Sequence, residues 1–552
     1  MVIVGAVLVC LVVLPVVRMV WSSFQKNPPL DATATVHNYV EAYTSSTTYS
    51  ALGNTAIFAV GAATLAMVLG FAIAWFSVRT NMPLGRIVMP ITIIPLILPG
   101  VLGSIAWGFL LSPRSGLINQ VLMNIFGLHS APFNLYSMPG MIWAQGIADT
   151  PLAFLLMSAA FKLTDPSLEE SATMSGATRS QILRRVTIPL LRPAILSVYL
   201  LVFVLSMEAF DVPAVIGLQA RVYVYTSQIY FAFNDLPSNY GLGTALATGL
   251  LVVSIAGVFL YTRAVRQNER FATVSGKGFR TARVDIGRFR WVGLAFVIVY
   301  MIVAVLLPLF VIVWNSLMPF VQAPTVKSLH LASLQNFRLL FTNDTFHTAL
   351  KDSLILAVLA ATVVLFLSSA VSWVTYRTRA RGRSVLDALT MGPVAVPGVV
   401  LGVALIVLYI RSPVQIYGTI WILLLAFVTK NLPYGMRATS SSMLQVKEEL
   451  QEAASMSGAT WLQTFRRVTL PLIMPGFVAG WIYVAIMSIR EFGTAVILSS
   501  SQNPVLSVLA FQLNDGGLLP EAAALGVCMV VGLLLIVAVA SRLSGRLGGM
   551  RP

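Results

Sequence analysis

Charge is scarce in this 552-residue chain: Asp, Glu, Lys and Arg make up 10% of it, against roughly 25% in an average soluble domain. Hydrophobic residues make up 57%, and the mean hydropathy is +0.84. Such a chain cannot cover a folded surface in water, and lipid is its natural solvent. Cysteine is nearly absent. Cys10 and Cys528 both lie in apolar stretches, which excludes a disulfide framework. Histidine is rare too: His37, His129, His330 and His347 fall in polar connections, without a metal-ligand spacing such as HExxH. A phosphate-binding loop is also missing. Gly276-Lys277 lacks the earlier Gly and the following Ser or Thr that would cradle phosphate and magnesium. The first residues are apolar without a basic n-region or a small-residue cleavage site, which argues against a removed signal peptide.

Long apolar runs are what the chain has instead. A helix of roughly 20 residues crosses a ~30 Å hydrocarbon core, whereas a barrel strand needs ~9–11 residues of alternating polarity. Spans 1 to 6 are read at 1–21, 52–78, 87–111, 138–162, 192–217 and 240–264, and spans 7 to 12 at 291–315, 349–375, 385–410, 416–440, 475–498 and 519–541. The net charge of +16 raises the question of nucleic acid, but its distribution answers it. Most Lys and Arg fall on alternate connections, among them Arg79 and Arg86, Arg179 to Arg192, Arg263 to Arg290, Arg377 to Arg383, Arg466, Arg467 and the C-terminal arginines. That is the positive-inside pattern of a multi-pass membrane protein with both termini in the cytoplasm, and no nucleic-acid role is expected.

The chain repeats itself. LEESATMSGATRSQILRRVTIPLLRPAI (168–195) returns as LQEAASMSGATWLQTFRRVTLPLIMPGF (450–477), an offset of 282 from Glu170 to Glu452. Upstream, AIAWFSVRT ending at Thr80 returns as AVSWVTYRT ending at Thr378, and Pro99-Gly100 returns as Pro397-Gly398. The offset changes where the first copy has the longer outer loop, since loops absorb insertions better than helices. Six spans per copy give both copies the same orientation, hence a parallel repeat about an axis along the membrane normal. The expected organisation is a first unit over 1–264, a cytoplasmic linker over 265–290 and a second unit over 291–552.

The repeated stretch lies between spans 4 and 5 of each copy, at 164–190 and 446–472, on the cytoplasmic side by the charge pattern. Asp165-Pro166 reads as a helix start, with Glu169 and Glu170 near the positive helix N-terminus. Gly176 and Gly458 are placed to end that helix or to allow close backbone approach. An interfacial helix resting on lipid would not need the same E-x-A-x-x-x-G spacing in both copies.

These two segments resemble the EAA signature of ABC-importer permeases: Glu-Ala-Ala, three residues, Gly, then a hydrophobic-x-hydrophobic-Pro stretch. Glu452, Ala453, Ala454, Gly458 and Ala459 match directly; in the first copy Glu170, Ala172, Gly176 and Ala177 match, with Ser171 in place of an Ala. The resemblance covers both halves. It implies an all-α transmembrane fold of about 12 helices, as two tandem six-helix units of the type I importer kind. It also implies that each segment, Glu169 included, forms a coupling helix gripped by a separate ATPase subunit. Two ATPase copies would then use ATP and magnesium on the cytoplasmic side, this chain binding no cofactor and catalysing no hydrolysis. A periplasmic substrate-binding protein would dock on the outer side, with segments 22–51 and 316–348 as the expected surface. The setting implied is a bacterial cytoplasmic (inner) membrane.

Ionisable residues within spans mark a pathway or a partner. Glu208 and Asp211, three residues apart in span 5, are expected on one helical face. The repeat places Arg490, followed by Glu491, where the first copy has Glu208, so Glu208 and Arg490 are a candidate pair closing a translocation pathway. Asp149, before Pro151 in span 4, reads either as a kink with local hydrogen bonds or as a pathway residue; the second copy has Asn431 there. FDVPAVIGLQARVYVYTSQIY (210–230), SNYGLGTALA (238–247) and the stretch from Arg490 through PEAAALGV are most similar to bacterial iron(III)-transport permeases. Permeases for thiamine, aminophosphonate and polyamine share the layout. An ion-coupled secondary transporter using Glu208 and Asp211 is the rival class, and the paired cytoplasmic motifs count against it.

Overall fold

The computed structural model describes residues 2–28, 31–92, 94–96, 98–164, 167–271, 284–378, 381–445 and 448–548. The helix start expected at Asp165-Pro166 and the Gly276–Gly278 stretch of the linker lie outside them. Among the described residues, nine helices are long and apolar enough to cross a membrane: Val2–Ser23, Ser46–Arg79, Met138–Leu163, Ser180–Glu208, Tyr240–Val265, Phe289–Leu317, Asp344–Arg377, Pro471–Arg490 and Leu519–Val539. These are spans 1, 2, 4, 5, 6, 7, 8, 11 and 12. Span 10 is the 26-residue helix Ile420–Gln445, at ~1.5 Å per residue long enough to cross, but it carries Lys430, Asn431 and Arg437 and is less apolar.

Spans 3 and 9 are not the straight helices expected at 87–111 and 385–410. Ile87–Leu96 and Gly100–Leu111 meet at 94°, and Arg383–Ala395 and Gly398–Tyr409 meet at 107°. In both, the second half-helix starts directly after a proline with ψ near 140° (137° at Pro99, 145° at Pro397). Proline lacks the N–H that would carry the helical ladder through. The repeated Pro-Gly pair is thus a break, and it falls at the same place in each copy.

Packing does not divide the chain at the linker, as a split into 1–264 and 291–552 would have it. One unit comprises Met1–Ser45, Gln228–Leu251 and Phe337–Pro552, and the other comprises Ser46–Ser227 and Val252–Asn336. Span 1 therefore packs with the second sequence half and span 7 with the first. In the former unit, Leu8 and Val12 of span 1 are buried with Val371, Leu386, Leu432 and Met436. In the latter, Phe296 of span 7 lies 6.1 Å from Phe76 of span 2, ring centre to ring centre. The segment after span 1 forms a small antiparallel hairpin, Gln25–Asn27 with Asp31–Ala34. Helices in lipid gain little from burying apolar surface, so close backbone approach holds them together. At Gly70 an added Cβ would sit 2.7 Å from the Cβ of Ala153, showing how tightly spans 2 and 4 meet.

Candidate functional site

Between spans 4 and 5 the first copy forms the short helix Ser167–Met174 and the second forms Glu448–Met456. Each ends in a glycine with left-handed backbone, Gly176 at φ 78° and Gly458 at φ 82°. The N–H of Ala177 reaches the carbonyl of Ala172 at 3.0 Å, and that of Gly176 reaches Thr173 at 3.0 Å; Ala459 reaches Ala454 at 3.1 Å. This is the Schellman end of a helix. Nothing lies within 4 Å of a Cβ built at either glycine. Of the two roles expected for these glycines, ending the helix is the one they perform within this chain.

The spacing has a second part that sequence reasoning passed over. The backbone N–H of Thr178 donates to Gln181 Oε1 at 2.8 Å, and that of Thr460 to Gln463 Oε1 at 2.9 Å. In return, Gln181 and Gln463 donate their N–H groups to the Thr178 and Thr460 hydroxyls at 3.4 Å. These are capping boxes, and T-x-x-Q was readable in both copies. Each repeat therefore encodes one helix stop and one helix start only two residues apart, which fixes a sharp elbow before spans 5 and 11.

The two loop helices also present matching apolar side chains. Leu168 and Met174 are 51% and 89% exposed, and their repeat mates Leu450 and Met456 are 47% and 90% exposed. Glu170, Gly176, Ala453 and Gly458 are exposed with them, while Ala172, Ala177, Ala454 and Ala459 are half-buried. Glu452 lies on the second helix, and its side chain is outside the described residues. Glu169 departs from the expected docking set. One residue along a helix is a turn of ~100°, so Glu169 faces inward where Glu170 faces out. It is 5% exposed, lies 3.2 Å from Arg79 Nη2 and accepts a 2.7 Å hydrogen bond from Thr187 Oγ1.

The intramembrane charges are also redistributed. Span 5 ends at Glu208, and Ala209 is extended (ψ 138°), so Glu208 and Asp211 do not share a helical face as expected. Beyond this break the Ala209 carbonyl accepts from Thr226 Oγ1 at 3.4 Å, and Pro213, four residues on, has no N–H to offer it. Asp211 turns toward the break in span 3, where a Cβ at Gly100 would collide with its carboxylate. A carboxylate there faces the positive end of the Gly100–Leu111 half-helix.

The second copy reaches a similar arrangement by other residues. Span 11 ends at Arg490, and Glu491 takes the place beside Gly398, whose added Cβ would lie 3.2 Å from Glu491 Oε1 and 2.6 Å from Lys430 Nζ. Lys430 lies 3.5 Å from Glu491, and Thr494 donates to the same oxygen through its N–H at 3.1 Å and its hydroxyl at 2.9 Å. Lys430 was legible as an ionisable residue inside a span but was not singled out. Asp149 accepts from Gln145 at 3.0 Å and from Ser206 of span 5 at 2.8 Å, within a helix that continues past Pro151. Asn431 repeats the bridge, donating to Ser488 at 3.4 Å. Among the described residues no group of three His, Cys, Asp or Glu is placed to hold a metal ion.

A tandem pair of helical units with broken spans and protruding loop helices defines a multi-pass membrane transport component. The chain belongs to the family described as "Binding-protein-dependent transport system inner membrane component", which matches it twice, over 66–270 and 367–548. Both matches leave out the helices that change units, spans 1 and 7. FbpB of Actinobacillus pleuropneumoniae, a ferric transport system permease protein, is 27% identical over 478 residues, covering 85% of this chain and 67% of its own. FbpB 1 of Haemophilus influenzae, likewise named for ferric transport, is 28% identical over 450 residues, covering 80% of this chain and 69% of its own. PotC of Escherichia coli, a spermidine/putrescine transport system permease protein, is 28% identical over 210 residues, covering 38% of this chain and 78% of its own. The chain is an ABC importer permease.

Proposed function

We propose that this permease imports iron(III), received from a periplasmic binding protein and driven by two copies of a separate ATPase subunit. The observation that carries the reading is the pair of loop helices. Each has the same Schellman end and the same exposed leucine and methionine. Large apolar side chains about 90% exposed at matching places mark a surface meant to be covered, and two matching surfaces suit two identical partners. Iron as cargo is supported by the ferric permeases, which align over 80% and 85% of this chain, whereas PotC aligns over 38%. That alignment with PotC favours a polyamine as the second reading.

In this reading both termini and both loop helices face the cytoplasm, ATP and magnesium are held by the ATPase, and transport proceeds by alternating access. Nucleotide shifts the balance between inward- and outward-open states only through different affinity for the two. Glu208, Asp211, Arg490 and Glu491 are the proposed pathway residues. The test is uptake into proteoliposomes holding this chain, the ATPase and the binding protein. Vanadate-sensitive uptake of ferric iron supports the proposal. Uptake of spermidine but not iron would replace the cargo, and uptake driven by an ion gradient without ATP would overturn the mechanism.

A further inference from the structure

We infer that the end of span 2 is the joint through which the first loop helix moves the membrane core. The inference rests on the docking reading above and concerns what happens after docking. Three elements meet on one carboxylate. Arg79 closes span 2, Glu169 sits on the loop helix Ser167–Met174, and Thr187 lies near the start of span 5. The Arg79 and Glu169 side chains are 1% and 6% exposed. Arg79 Nε and Nη1 have no hydrogen-bond partner among the described residues, and the Nη2–Oε1 contact is ionic, lying outside hydrogen-bond geometry. Glu169 is thus what balances this buried charge, and separating the two would leave it uncompensated. The loop helix cannot move far without taking span 2 along.

The backbone beside Arg79 ties in a further segment. Val284 donates to the Arg79 carbonyl at 2.7 Å and accepts from the N–H of Asn81 at 3.2 Å. Asn81 Nδ2 donates to Asp285 at 2.5 Å, and its Oδ1 accepts from the N–H of Ile286 at 3.2 Å. The chain running into span 7 is therefore clipped to the same joint.

The second copy differs in sequence at one of these places. Glu169 is replaced by Gln451 at its repeat position, and Arg79 corresponds to Arg377. Arg377 donates to the carbonyl of Met443, at the end of span 10, at 2.7 Å. That bond joins span 8 to span 10. Arg79 and Glu169 are positioning residues.

The test uses the whole complex in proteoliposomes and reads solute imported per ATP hydrolysed, together with retention of the ATPase on purification. Arg79→Gln and Glu169→Gln are expected to lower the ratio about tenfold, within the usual range of coupling between sites, with the ATPase retained. An unchanged ratio in these two would overturn the inference. If Arg79→Gln does not assemble, Thr187→Val decides: a lower ratio supports the joint, and an unchanged one overturns it. Met174→Asp with Met456→Asp separates this from the docking reading, since retention of the ATPase by that variant would defeat the docks themselves.

Discussion

Gly176 and Gly458 have open space around them and left-handed backbones, so their function is conformational. A β-branched side chain there costs about 1–2 kcal/mol, whereas Asn tolerates that region. Gly176→Val with Gly458→Val is therefore expected to abolish ATP-driven uptake while lowering the melting temperature of the purified permease by only a few degrees. The corresponding Asn pair should keep most uptake. Gly100 is the opposite case, with no space at all. Gly100→Ala should destabilise the protein by about 1–3 kcal/mol through overpacking, and adding Asp211→Ala should restore most of it, measured by thermal unfolding in detergent. Residue types and repeat positions were legible from the sequence at this scale. Which way Glu169 points was not, because adjacent helical residues with the same charge differ only in facing, and the partner Arg79 is 90 positions away.

Elements show where sequence patterns suffice. Apolar runs located the helices because lipid leaves the backbone no other way to satisfy its hydrogen bonds. The breaks in spans 3 and 9 escaped the same reading, since hydropathy is blind to direction; only the proline before each half-helix signals a turn. The break after Glu208 was equally hidden, although Pro213 was in view. Span 4 makes the reverse point, because Pro151 sits within an unbroken helix. Asp149 there acts as an acceptor for Gln145 and Ser206, and the repeat uses Asn431 against Ser488. Asp149→Asn should therefore keep stability and uptake. Asp149→Leu leaves buried donors unpaired and should cost about 1–3 kcal/mol.

At the scale of the whole molecule, six-span repetition was plain in the sequence, but the exchange of spans 1 and 7 between packing units was not. Apolar helices carry little information about which neighbour they will choose, and nothing in a hydropathy profile distinguishes packing against the near half from packing against the far one. The family match beginning only at residues 66 and 367 fits this, as the repeated core excludes the exchanged helices. The proposed transport mechanism has force entering at two places. The most direct measurement is cross-linking from Met174→Cys and, separately, Met456→Cys, in a chain with Cys10 and Cys528 replaced by serine, to the co-assembled ATPase. Both positions are expected to cross-link to it, each at a level that changes when ATP and vanadate are added. Absence of cross-links from both, with links forming instead from a cysteine placed in segment 316–348, would contradict the assignment of these helices as the ATPase grips.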